Sequence, residues 1–194
     1  MKRNILLILC ATVLLSAFIF NTAANTGAVL SSDDDKLIVA LSAIYKKAGN
    51  LVISLPYATI NLSQTALMKV FAGETDDALA YLNAHAAASL EQNAYNSMEL
   101  ILIEYDEVLS KYGYPAAGAY RTKRAELAGH FSGLKSSSSE LIRRTRALIT
   151  GSESGFDGYY SAYCQQLIAL TDRLENSAGK IDDEYNALIK VSLG

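Results

Sequence analysis

Tryptophan is absent from this chain of 194 residues, proline occurs twice, and runs of β-branched residues are few. Strands need such runs bounded by Gly and Pro turns, so a sandwich or barrel is excluded and helix is expected almost throughout. Strand content should be close to nil.

The groups that carry chemistry are equally scarce. Catalysis requires a base, a nucleophile or a metal, and histidine is limited to His85 and His130. Glu126 and His130 stand four apart on one predicted helix face, but no Glu-x-x-His pair recurs on two helices as a di-iron bundle requires. His130, beside core Phe131, reads as a partly buried structural residue. No phosphate-cradling glycine loop, Cys-x-x-Cys pair or nucleophile elbow is present. The expectation is a protein that is not an enzyme and holds no metal or cofactor.

What is present begins with a leader. Lys2 and Arg3 precede an apolar run over residues 5–20, followed by the small residues Thr22, Ala23 and Ala24. Residues 1–28 are therefore read as a signal peptide, cut after Ala24 or Ala28, or as an N-terminal membrane anchor. The run lies just under the roughly 17 to 25 residues that span a bilayer, which favours cleavage. Both readings place residues 29–194 outside the cytoplasm, secreted or anchored. Leu9 before Cys10 is not the small residue that lipid attachment prefers. Cys164 then has no partner within the chain, so it reads as a small buried residue and the core must hold the fold without a disulfide.

Four stretches repeat apolar residues at steps of three and four, the spacing of one helical stripe. The first runs Leu37, Leu41, Ile44, Ala48, Leu51, Leu55, Ala58 and Leu62, in phase through Pro56, which predicts one long helix kinked there. Gly73 is a stop signal and Thr75 to Asp77 the next start. The second stripe carries Leu79, Leu82 and Ala86, slips phase, and resumes at Met98, Leu102, Tyr105, Leu109 and Tyr112. Gly113 to Pro115 closes it. The third includes Leu127, Phe131, Leu134, Ser138, Leu141, Thr145 and Leu148, ending at Gly151. A connection from Ser152 to Gly158, with Ser154 and Asp157 spaced as a capping box, leads to Tyr160, Tyr163, Leu167, Leu170, Leu174, Ser177 and Ile181. Helices of roughly 35 residues, on the order of 50 Å each, joined by short turns, predict an all-α, up-down-up-down antiparallel four-helix bundle. A helical hairpin that dimerises into a bundle is the alternative.

Charge is partitioned among these stretches. From Glu74 to Glu107 there are eight acids and no Lys or Arg, whereas the third stretch is basic and the fourth acidic. In a hairpin turning at Gly113 to Pro115, Glu104, Asp106 and Glu107 come level with Arg121, Lys123 and Arg124, which selects register more than it adds stability. Without the leader the net charge is about minus five, against nucleic acid as a partner.

Two regions are candidates for binding. At the height of Ser136 to Ser139, the stretches bring Asn93, Ser54 and Thr171 level, so Asn93 and Ser138 would meet in a polar layer holding water or a small ligand, or turned outward. At the end carrying Gly73, Arg143, Arg144 and Arg146 join Tyr159 and Tyr160 as an aromatic and basic group of the recognition type, although Arg at a helix C-terminus also compensates the dipole. Leu100, Ile101 and Ile103 flank the main stripe as a further apolar surface. Asn61 to Ser63 is a glycosylation sequon, relevant only in a host with that machinery. With its short turn at Ala72 to Asp77 and looser one at Gly151 to Gly158, the arrangement resembles the extracytoplasmic four-helix sensor domains of chemoreceptors and sensor kinases. That resemblance implies a small-ligand sensing module and transfers no binding residue. The leading expectation is a bundle at the cell envelope, or secreted, that binds a protein partner or itself.

Overall fold

The computed structural model describes residues 33–112, 117–151 and 156–193, and among them there is helix and turn but no strand. The first rod is α1, Asp33–Phe71. The second comprises α2 (Thr75–His85), a π-helical segment (Ala86–Tyr95) and α3 (Asn96–Tyr112). The third is α4, Ala117–Thr150, and the fourth is α5, Phe156–Leu193. The leader, the turn at Gly113 and the residue Ser154 of the expected capping box lie outside the described residues. The connection before α5 is shorter than expected, because Phe156 to Gly158 are already helical.

α1 runs unbroken through Pro56 because the chain on both sides is committed to the core. Val52 and Leu55 before it and Thr59 and Ile60 after it are all buried. The core position is Val52, with Leu51 only half-buried, and likewise Thr59 in place of Ala58. A straight α-helix drifts against a strict seven-residue stripe, and α1 touches all three other rods, so its buried face is wider than one stripe. Thr59 and Ser42 return their hydroxyls to the carbonyls of Leu55 and Ile38, each at 2.8 Å. α1 is also the described helix long and apolar enough to cross a membrane, with a mean hydropathy of 1.3 over a window half buried inside the protein. A core helix satisfies that description equally.

The turn after α1 places Gly73 at φ 85°, a left-handed value that glycine adopts without strain. The phase slip in the second rod is resolved by the π-helix. Its wider turns let Leu90 and Tyr95, five residues apart, both face the core, where Leu82, Ala86 and Leu90 are spaced by four. The side chains of Asn96 and Ser97 bond the carbonyls of Gln92 and Asn93 at 2.7 Å, satisfying acceptors at its end. After the slip Ile101 is buried and Leu102 half-buried, the reverse of the expected assignment.

Cross-rod contacts give the bundle-like arrangement its heights. Lys47 of α1 pairs with Glu104 of α3 at 2.6 Å, and Tyr45 meets Tyr105 edge-on at 6.0 Å. Asp106 pairs with Arg124 at 2.7 Å, while Asn83 accepts from Arg146 at 2.7 Å. Gln166 of α5 donates to the Ser137 carbonyl at 3.1 Å, and Lys123 pairs with Glu184. Ser63 and Thr145, both fully buried, share a hydrogen bond of 2.9 Å between α1 and α4. Of the expected hairpin pairs, Asp106 to Arg124 forms, whereas Glu104 turns to Lys47 and Lys123 to Glu184.

Candidate functional site

The basic group on α4 is largely occupied by its own neighbours. Glu140 takes two hydrogen bonds from Arg143 at 2.6 Å and one from Arg144 at 2.7 Å. The hydrogen bond from Arg143, ahead of that from Arg144, holds the Glu140 carboxyl down at about 2. A depressed carboxylate contributes above its ordinary value near 4.5 and loses that contribution as pH falls toward 2, a small effect at so exposed a pair. Arg146 is turned to Asn83 of α2. Tyr160 is half-buried and stacked on Tyr163 at 6.3 Å. Tyr159 is 41% exposed and lies so close over Gly151 that a Cβ there would clash with its ring.

The polar layer is assembled differently from expectation. Asn93 sits on the outside of the π segment, as does Gln92, and Asn96 at the start of α3 is exposed too, while Ser138 is fully buried, so the structure does not bring Asn93 to Ser138. The height is right, since Tyr95 of the same segment hydrogen-bonds Ser139 at 3.0 Å. Among the described residues the Ser138 hydroxyl has no hydrogen-bond partner, nor do the Tyr163 hydroxyl and the Gln64 amide nitrogen, both buried. A buried hydroxyl without a partner costs about 1–3 kcal/mol. Ser138→Ala, which removes it and favours helix, is expected to raise the unfolding free energy by about that amount in urea titration. Destabilisation by the same change would show the hydroxyl to be bonded in solution.

The apolar surface flagged on the second rod is exposed in part. Leu100 is 64% and Ile103 52% exposed, while Ile101 turns inward. Leu100 and Ser97 form one wall of an open groove of about 530 Å³ whose other wall is Asn50, Leu51 and Ser54 of α1. The Lys47–Glu104 pair closes one end. Glu99 and Glu107 flank the two apolar residues, and both are exposed. The sequon on α1 has Asn61 exposed but Ser63 fully buried in its bond to Thr145.

A second cleft has no counterpart among the regions that the sequence marks. It lies where α1, α4 and α5 meet near Tyr45, and it includes Lys123, His130, Lys180 and Glu184. His130 is half-buried and bonds Ser177 at 3.1 Å. Burial, reinforced by Lys180 and opposed by Glu126, lowers its pKa. Spacing along one helix cannot reveal such a site, because it depends on the height at which three rods meet. Among the described residues no three of His, Cys, Asp and Glu gather as a metal site would require. No known family model, curated protein or solved structure matches the chain.

Proposed function

We propose that this chain is a non-enzymatic, extracytoplasmic up-down-up-down four-helix bundle that docks a protein partner on the outer face of α3. The cross-rod pairs support the topology: Lys47 to Glu104 and Tyr45 to Tyr105, Asp106 to Arg124 and Asn83 to Arg146, and Ser137 to Gln166 and Lys123 to Glu184 each have residue numbers rising on one rod as they fall on the other. The apolar run at residues 5–20 supports export or membrane anchoring.

The observation that carries the docking is the exposure of Leu100 and Ile103 on a rod with no Lys or Arg from Glu74 to Glu107. Adjacent exposed apolar side chains mark interaction surfaces. Flanked by carboxylates, this one suits an amphipathic helix with a leucine stripe and basic edges, the helix-in-groove mode. The probe is a labelled synthetic helix of leucine and lysine, followed by fluorescence anisotropy. Leu100→Ser with Ile103→Ser is expected to weaken binding by about tenfold or more, added salt to weaken it further, and Met68→Ser to leave it unchanged. Absence of binding, equal loss in Met68→Ser, or a stable dimer that Leu100→Ser dissociates would overturn the proposal, the last in favour of self-association.

A further inference from the structure

The cleft at Tyr45 has a chemistry of its own, independent of the α3 face. It is about 340 Å³, within the range of small-molecule sites. Tyr45, Leu127 and Ile181, one from each rod and all buried, give it an apolar floor. Lys123 and Glu184 neutralise one another on one side. Glu126 and His130, four apart on α4, line the cleft from one side, and Asn176, Lys180 and Asp183, at steps of four and three on α5, from the other.

Glu126, Lys180 and Asp183 are exposed and make no ion pair among the described residues. The cleft thus presents two free carboxylates and one free ammonium around an apolar base. A simple anion is opposed by the carboxylates, and a simple amine leaves Lys180 uncompensated. We propose that the cleft binds a small diamino monocarboxylate, with the charge pattern of lysine or ornithine. Its two ammonium groups meet Glu126 and Asp183, its carboxylate meets Lys180 and the Asn176 amide, and its methylene stem covers Leu127 and Ile181.

The chain contains two histidines, so their imidazole proton resonances report separately on the cleft, through His130, and on a control outside it, His85. L-lysine added to about 10 mM is expected to move the His130 signals and leave those of His85 in place, whereas L-glutamate moves neither. Glu126→Gln with Asp183→Asn is expected to weaken lysine binding by about tenfold. Lys180→Gln should weaken lysine but strengthen 1,5-diaminopentane, which has no carboxylate and is opposed by the Lys180 ammonium. These positions are exposed, so circular dichroism of the variants should match the parent. Unmoved His130 signals at that concentration, equal shifts with glutamate, or lysine binding unaltered in the double variant would each overturn the proposal.

Discussion

Tyr105→Ala is expected to lower the unfolding free energy by about 3–5 kcal/mol, read from urea titration by circular dichroism. Tyr105 is fully buried, its ring meets Tyr45 of α1 edge-on, and its hydroxyl donates to the Tyr120 carbonyl of α4 at 3.2 Å. One side chain therefore joins three rods, and its removal leaves both a cavity and the Tyr45 hydroxyl without its neighbour. No disulfide within the described residues offsets the loss, since Cys164 is free. A cost under about 1 kcal/mol would show that the rods do not meet there. The same residue gives a pH signature. Burial, opposed by the hydrogen bond from Tyr45, pushes its phenol up to about 12 from 10.0. A raised phenol contributes fully below pH 10 and loses that contribution as pH rises toward 12, so Tyr105→Phe should flatten alkaline unfolding in that window.

Deleting Ser132 is expected to abolish cooperative folding, while deleting Asn93 should leave a folded chain of equal or higher melting temperature. Both residues are exposed and helical, so local exposure does not distinguish them. Ser132 stands in a regular α-helix, where losing one residue rotates everything after it by about 100° and turns Leu134, Leu141 and Leu148 out of the core. Asn93 stands in the π segment, which accommodates surplus residues between Leu90 and Tyr95. Removing one lets the ladder close as an α-helix with both halves of the rod still facing inward. Thermal melts of the two deletions, with the parent alongside, decide the matter, and equal loss in both would show that the π geometry does not store the slip.

The four helical stretches are legible in the sequence, because Leu41, Leu82, Leu134 and Leu170, one from each, belong to runs at helical spacing and all lie in the core. The rotation of each rod is less so. The spacing points to Leu51 and Leu102 where Val52 and Ile101 occupy the core, because a rod touching two or three neighbours buries more than one stripe. Asn93 and Ser138 share one height, as the bond from Tyr95 to Ser139 shows, but the π turn carries Asn93 outside. The exposed pair Leu100 and Ile103 was visible as apolar residues off the main stripe. The cleft at Tyr45 was not, because Lys123, Lys180 and Tyr45 come from three rods and carry no shared spacing.

Carbodiimide cross-linking of the monomer, followed by peptide mass spectrometry, tests the lengthwise packing of the rods most directly. It joins Lys to Glu only where they already touch. Bonds from Lys47 to Glu104, from Lys135 to Glu99 and from Lys123 to Glu184 are expected, since these pairs lie within 4 Å and tie the second rod to α1 and α4, and α4 to α5. Links from Lys47 to Glu74 together with Lys69 to Glu104, which would place α1 and the second rod side by side in the same direction, would contradict it.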